Sequence, residues 1–190
     1  MAIIPHLNPK LYVHSFQDIP YENYKKQGIK TLFFDLDNTV MSYDEKIISK
    51  ENLSFLEQLK KDFNVVIVSN SGYKRVSFAC IQAGYEFIHS AKKPFKSGYI
   101  RALKKASAQA KTSLFIGDQL MTDIFGASRM NIESILVKPL KQRSDHIFTR
   151  TNRKLERILL KRMSKKYPAL LNDALIAYGR EIHGLFKDLK

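Results

Sequence analysis

Short apolar runs that alternate with helical segments constrain the fold of this 190-residue chain more than any other feature. We assign strands to residues 31–35, 65–68, 86–89, 113–116 and 134–137, in five strand–helix units. The run at 65–68 is apolar without a break, which is typical of a strand that is buried on both faces. The alternation predicts an α/β fold with a doubly wound, parallel, five-stranded sheet.

The pattern changes near residue 151, where a basic segment with helical periodicity begins. We predict one domain at residues 1–150, whose first 17 residues form an irregular arm, and a basic C-terminal helical extension of two helices at 151–190. Four apolar residues are expected on one face of the first of these helices: Leu155, Ile158, Leu159 and Met163.

Positive charge is concentrated in the same region. The chain has a formal net charge of +14, and residues 138–190 hold 14 Lys or Arg against 5 Asp or Glu. This excess favours an anionic partner: a lipid headgroup, RNA or a phosphorylated substrate. A helix at 151–166 could contact an anionic membrane. The plainer alternative is that the charge only keeps the protein in solution.

Two further observations bear on the compartment. Cys80 is the single cysteine, so no internal disulfide is possible, and we interpret it as a buried thiol in a reducing compartment. The first residues lack the basic and apolar regions of a signal peptide. The longest uncharged run, residues 63–73, is well short of the roughly 20 residues that span a bilayer. We expect a cytoplasmic protein that is at most peripheral to a membrane.

A pair of acids follows the first predicted strand. Asp35 and Asp37 are two positions apart, so an extended chain points both carboxylates the same way. They repel each other unless a cation or a proton lies between them. The Asn38–Thr39 dipeptide then turns the chain into a loop. A strand that delivers two acids to a loop indicates a site rather than packing.

Further polar side chains follow the other strands. In an open α/β sheet, ligands bind beyond the carboxyl ends of the strands, near the point where strand order reverses. Oxygen ligands in such numbers suit Mg²⁺. Each residue alone has a structural alternative, such as Asp123 capping a helix, but the set favours a site. Its predicted members beside the acid pair are Ser69, Asn70, Lys93, Asp118 and Asp123.

The same positions resemble the four motifs of haloacid dehalogenase-like (HAD) phosphatases. Asp-Leu-Asp-Asn-Thr at 35–39 resembles the first motif, Ser69 the second, Lys93 the third, and Gly-Asp-Gln-Leu-Met-Thr-Asp at 117–123 the fourth. The flanking residues are similar to those of subfamily IIIA enzymes of the YqeG type, which are similar to mitochondrial phosphatidylglycerophosphate phosphatases. The resemblance implies a HAD-like Rossmannoid fold with no large cap. Asn38 stands where many relatives have Gly.

The resemblance also implies roles for these residues. Asp35 would attack phosphorus and Asp37 would serve as general acid and base. Ser69, Lys93 and the backbone N–H of Asn70 would bind the substrate phosphate. The implied Mg²⁺ ligands are Asp35, the carbonyl of Asp37, Asp118 and Asp123.

Several functions remain open on this basis. The leading hypothesis is a Mg²⁺-dependent phosphomonoester hydrolase that acts through an aspartyl-phosphate, with phosphatidylglycerophosphate as leading substrate. The alternatives are a nucleotide or sugar-phosphate phosphatase with the same chemistry, or an RNA- or ribosome-binding protein with a vestigial site. A receiver domain is disfavoured. Such a domain normally places its acid pair on a different strand from the phosphorylated Asp, whereas Asp35 and Asp37 follow the same strand in this chain. The sequence does not predict the oligomeric state.

Overall fold

The computed structural model describes residues 3–81, 83–141 and 147–187, without the side chains of 147 and 148. Within these ranges the core is a six-stranded sheet in the order β1-β6-β5-β2-β3-β4, and all neighbouring strands run parallel. The strands are β1 (Leu11–Val13), β2 (Thr31–Phe34), β3 (Asn64–Val68), β4 (Glu86–Ile88), β5 (Ser113–Gly117) and β6 (Glu133–Val137).

The predicted doubly wound parallel sheet is confirmed, with one strand more than expected. The additional strand is β1, which lies within the arm predicted to be irregular and pairs with β6, placing Tyr12 beside Leu136. Three residues between polar neighbours give too short a pattern to reveal a strand. An edge strand of this length forms because β6 offers it an unpaired row of backbone groups.

Seven helices cover the two faces of the sheet in the described part of the chain. Helices α1–α3 share a core with Leu32 and Phe34, whereas α4 and α5 share one with Phe33 and Phe115 on the opposite face. This alternation within β2 follows from the two-residue period of a strand. The helices are α1 (Tyr21–Lys26), α2 (Lys50–Leu59), α3 (Tyr73–Cys80), α4 (Lys96–Lys105), α5 (Phe125–Ser128), α6 (Ile147–Lys166) and α7 (Asp173–His183).

Helices α6 and α7 pack against the β6 end of the sheet. Leu160 and Met163 of α6 and Tyr178 of α7 share a core with Leu136 of β6. The domain boundary predicted at residue 150 stays a prediction, and residues 142–146 before it lie outside the described residues. Among the described helices, none is both long enough and apolar enough to cross a membrane.

The prediction of the apolar face of α6 is partly wrong. Leu155 and Ile158 are exposed by 42% and 62%, whereas Glu156, Leu160 and Met163 are buried. The buried stripe of α6 therefore contains a carboxylate at its first position. Hydrophobic periodicity cannot locate a stripe that begins with a charged residue.

The order of the strands fixes the position of the site. From β2 the chain proceeds to β3 and β4 on one side, and then returns to β5 on the other side. The gap between the ends of β2 and β5 is therefore a topological switch point. The backbone N–H of Asp35 donates to the carbonyl of Ile116 over 2.9 Å, which holds the two strand ends side by side.

Candidate active site

A buried lysine joins two acids at the switch point. Nζ of Lys93 lies 2.5 Å from Oδ1 of Asp35 and 2.8 Å from Oδ1 of Asp123. All three side chains are buried. Asp35 comes from the end of β2, Lys93 from the loop after β4, and Asp123 from the turn after β5. The structure thus brings together predicted residues that are 88 positions apart at most.

Three carboxylates could share a cation at this point. Asp35, Asp118 and Asp123 each offer an oxygen atom, and these atoms lie within 4.8 Å of one another. A buried set of acids that close together requires compensating positive charge. Hard carboxylate oxygens are the ligands that divalent cations such as Mg²⁺ prefer. The residues present therefore fit the metal site that the sequence predicts.

Gly117 is required for this geometry. A Cβ atom at position 117 would lie 2.5 Å from Cγ of Asp123, because the Asp123 side chain folds back over the end of β5. Oδ2 of Asp123 accepts a hydrogen bond from the backbone N–H of Gln119 over 3.0 Å. The π-helical turn at Leu120–Ile124 turns Asp123 toward the strand end from which Asp118 extends.

Burial and charge act in opposite directions on this cluster. Burial raises the pKa of Asp35 well above its usual value, and the neighbouring acids raise it further, whereas Lys93 opposes the shift. Burial alone would lower the pKa of Lys93, but Asp123 and Asp35 outweigh it, so the pKa of Lys93 is raised. Lys93 is therefore a cation, and it offsets only part of the negative charge of the three acids.

The backbone of Lys93 is held by the predicted phosphate-binding residue Asn70. The amide of Asn70 donates to the Lys93 carbonyl over 3.1 Å and accepts from the Lys93 N–H over 2.6 Å. The side chain of Asn70 is thus occupied in positioning the lysine. Its backbone N–H remains the group to which the sequence analysis assigned phosphate binding.

Asp37 lies apart from the three buried acids. Its carboxylate accepts from Ser71 Oγ over 2.7 Å and from Ser69 Oγ over 3.3 Å. Nη2 of Arg75 lies 2.6 Å from Oδ1 of Asp37. Among the described residues, the side chain of Asp37 does not belong to the acid triad. Metal binding by its backbone carbonyl stays a prediction.

Arg75 and Ser71 were not recognised in the sequence. Arg75 lies in the first turn of α3. Its guanidinium also donates to the backbone carbonyls of Glu45 and Ser42. The feature of the sequence that could have identified Arg75 is its position about one helical turn after Ser71. Ser69 itself is fully buried, whereas Ser71 faces the cleft.

Asn38 occupies a backbone conformation that explains its difference from the resembled motif. Its φ angle is +64°, in the left-handed region that glycine adopts without strain and asparagine tolerates best among the other residues. The substitution therefore preserves the turn that separates Asp35 from the following loop.

The cluster opens into a cleft of about 480 Å³. Helix α6 contributes Thr149 and Asn152 to its wall, and Nδ2 of Asn152 donates to the side chain of Gln119 over 3.3 Å. The C-terminal helices thus reach the site, which the sequence analysis did not predict. The remaining lining residues are Asp35, Asp37, Tyr43, Asn70, Ser71, Gly72, Arg75, Lys93, Gln119 and Thr122.

Solved structures share this architecture. A HAD family enzyme from Bacteroides thetaiotaomicron aligns with a TM-score of 0.50 at 14% identity, over 60% of this chain and 96% of that chain. A hypothetical protein from Xanthomonas campestris aligns with a TM-score of 0.50 at 16% identity, over 72% of this chain and 77% of that chain. These similarities establish the fold alone.

Comparison with related sequences identifies the family of the chain, which the solved structures do not. The chain is 33% identical over 159 residues to the probable phosphatase YqeG of Bacillus subtilis. This alignment covers 83% of this chain and 92% of that protein. It is 26% identical over 187 residues to phosphatidylglycerophosphate phosphatase 1, chloroplastic/mitochondrial, of Arabidopsis thaliana, and covers 52% of that protein. A family model described as mitochondrial PGP phosphatase matches residues 2–140. The chain therefore belongs to the mitochondrial PGP phosphatase family and is a HAD-type phosphatase.

Proposed function

We propose that this protein is a Mg²⁺-dependent phosphomonoester hydrolase that acts through an aspartyl-phosphate on Asp35. The observation that carries the proposal is the placement of Asp35 among Lys93, Asp118 and Asp123 at the floor of an open cleft. A bound Mg²⁺ would be held by Asp35, Asp118 and Asp123, with the carbonyl of Asp37, and would neutralise charge on the phosphoryl oxygens.

The chemistry assigned to the acid pair has two steps. In the first, a carboxylate oxygen of Asp35 attacks phosphorus, the ester P–O bond breaks, and Asp37 gives its proton to the leaving alkoxide. In the second, water attacks the phosphorus of the aspartyl-phosphate, the bond between phosphorus and the Asp35 oxygen breaks, and Asp37 takes a proton from that water. Inorganic phosphate leaves and the Asp35 carboxylate is restored. The two acids have separate surroundings, since Asp37 lies in the cleft wall and Asp35 in the buried cluster.

Phosphate binding is assigned to the neighbouring groups. Lys93 supplies a fixed positive charge, and the hydroxyl of Ser69 with the backbone N–H of Asn70 would donate to phosphoryl oxygens. Preorganised donors of this kind stabilise the charge that develops during phosphoryl transfer. Ser71, which lines the cleft in the same loop, donates its hydroxyl proton to Asp37 and so helps to position the proposed general acid.

The direct test is release of phosphate from an aryl phosphate with and without Mg²⁺. We expect metal-dependent release by the wild-type protein and a loss of more than about 10³-fold in Asp35→Asn, which removes the nucleophile. Lys92→Met, which changes an exposed neighbour of Lys93, serves as the matched control with normal activity. Full activity in Asp35→Asn, or equal activity after chelation of metal, would contradict the proposed mechanism.

We propose phosphatidylglycerophosphate as the substrate. Membership of the PGP phosphatase family supports this choice, as does the open cleft, because the body of a lipid must remain outside it. A nucleotide or sugar-phosphate substrate is the alternative. Comparison of kcat/KM across phosphatidylglycerophosphate, nucleoside monophosphates and sugar phosphates distinguishes them, and a preference for either of the latter classes overturns the lipid assignment.

We further propose that α6 contacts anionic membrane from the cytoplasmic side. The helix carries eight Lys or Arg and a single Glu. Its exposed surface places Leu155 and Ile158 among Lys154, Arg157 and Lys161. Exposed apolar residues flanked by cations suit an interface with anionic lipid, at roughly 1 kcal/mol for each nearby cation.

Point variants test this contact better than truncation. Removal of α6 would uncover the core around Leu160 and Met163, so a shortened protein would be a poor control. We expect Arg157→Glu/Lys161→Glu to reduce pelleting with anionic vesicles and to leave hydrolysis of a soluble aryl phosphate unchanged. Unchanged pelleting would remove the membrane role. Binding to RNA in place of vesicles would favour the nucleic-acid alternative.

A further inference from the structure

We propose that Arg153 of α6 positions Asp118 for metal binding, so that the C-terminal helices complete the active site. The inference rests on the proposed metal-dependent phosphatase and assigns to it a residue outside the four motifs. Arg153 lies 35 positions after Asp118 and contacts both its backbone carbonyl and its carboxylate. Its contacts, its supports and its charge each lead to this role.

The contacts of Arg153 fix both the side chain and the backbone of Asp118. Nη2 of Arg153 pairs with Oδ2 of the Asp118 carboxylate. Nη1 donates to the backbone carbonyl of Asp118 over 2.8 Å. Both side chains are buried, with 11% exposure for Arg153 and 0% for Asp118. A planar guanidinium that grips two oxygens of one residue leaves that residue little rotational freedom.

Arg153 is itself held by the second C-terminal helix. Its Nη1 donates to the hydroxyl of Tyr178 over 2.7 Å, and that hydroxyl donates to Oε2 of Glu156 over 2.7 Å. Oε1 of the fully buried Glu156 accepts from the backbone N–H of Met121 over 3.1 Å. Nε2 of His183 lies 3.5 Å from the same Glu156 carboxylate.

This network grips the loop after β5 at two points. Arg153 holds Asp118 at its start, and Glu156 holds Met121 in the π-helical turn that carries Asp123. Two of the three triad acids therefore depend on α6 for their position. Because α7 holds Arg153 and Glu156 through Tyr178, the geometry of the acids is coupled to the packing of both C-terminal helices.

The charges divide in a way that suits a metal site. Lys93 contacts Asp35 and Asp123, whereas Arg153 contacts Asp118. Partners that hydrogen-bond to ligating carboxylates orient them, and their loss typically costs about 10- to 100-fold in metal affinity or activity. Arg153→Lys would keep the positive charge but replace the two directed contacts of the guanidinium with Asp118 by one point charge.

The test measures binding of Mn²⁺ alone, by calorimetry or electron paramagnetic resonance, without substrate. We expect Arg153→Gln to raise the Kd for Mn²⁺ about tenfold or more, and Arg153→Lys to recover part of the loss. Arg162→Gln, which removes an exposed arginine of the same helix, keeps the wild-type Kd. Circular dichroism and unfolding curves show whether each variant is folded. A folded Arg153→Gln variant whose Kd is within about twofold of wild type, or lower, overturns the inference.

Tyr178→Phe keeps the test decisive if Arg153→Gln does not fold. This variant retains the ring in the core and removes only the hydroxyl that links Arg153 to Glu156. A Kd raised about threefold or more supports the coupling, and an unchanged Kd contradicts it. Asp118→Asn separates the two proposals: if it binds Mn²⁺ as wild type does, the proposed metal site itself fails, whereas a loss confined to the Asp118 variant disproves only the role of Arg153.

Discussion

Nζ of Lys93 lies 2.5 Å from Oδ1 of Asp35, inside a cluster of buried side chains at the cleft. The same ammonium group lies 2.8 Å from Asp123. A buried ion pair stabilises a fold weakly when it is compared with apolar residues, but removal of one partner leaves a buried charge without compensation. Lys93 therefore has a structural duty in addition to any contact with phosphate.

Lys93→Met is expected to destabilise the protein by about 3 kcal/mol in the absence of metal. Asp35 and Asp123 then lose their shared cation, and a divalent metal at the triad should restore part of the stability. Urea unfolding with and without Mg²⁺ measures both effects. Lys92→Met changes the exposed neighbour and should cost less than about 0.5 kcal/mol. A Lys93→Met variant as stable as the Lys92→Met control would contradict the prediction.

Arg75→Gln is expected to impair catalysis according to the leaving group of the substrate. Arg75 holds Asp37, the proposed general acid, through an ion pair of 2.6 Å. Misplacement of a general acid penalises poor leaving groups most, so we expect kcat to fall about tenfold or more for an alkyl phosphate and less for an aryl phosphate. Arg75→Lys should retain part of the activity. Equal losses on both substrates would show that Arg75 does not act through Asp37.

The sequence predicted that the buried acids and Lys93 would converge, but it did not predict every strand around them. Asp35, Lys93, Asp118 and Asp123 follow strands whose apolar character is plain, and parallel strands bring their carboxyl ends to one edge of the sheet. The convergence of these residues was therefore predictable from the order of strands and loops. The strand count was not, because β1 contains only three residues.

The supporting residues were hidden for a different reason. Arg75 and Arg153 act through pairings with residues 38 and 35 positions away, and one sequence gives no signal for such pairs. Arg153 also stood in a run of basic residues that looked uniform, although Lys154 and Arg157 are exposed and the Arg153 side chain is only 11% exposed. The distinction arises from the buried Glu156, three residues later on the same helix face.

Cys80 is expected to react with a thiol reagent only when the protein unfolds. The side chain is fully buried, and burial raises the pKa of its thiol to about 12, so the reactive thiolate is scarce near neutral pH. Labelling by a chromogenic disulfide should be slow in buffer and fast in concentrated urea. A rapid phase in buffer, with the full amplitude of one thiol per chain, would show that α3 opens without global unfolding.

Glu156→Gln is expected to remove part of the acid sensitivity of the fold. Burial raises the pKa of Glu156, but contacts with His183, Arg153 and Tyr178 outweigh it, so its pKa lies below the ordinary 4.5. A carboxyl group whose pKa is lowered by folding contributes stability above its unfolded pKa and loses that contribution as pH falls through its folded pKa. The wild type should therefore exceed Glu156→Gln in stability near neutral pH, with a difference that shrinks below about pH 4.5. Urea unfolding across this range measures the difference, and Glu51→Gln, at an exposed acid of α2, serves as the control. A difference that stays constant with pH would mean that Glu156 supports the loop after β5 through its shape and hydrogen bonds rather than through its charge.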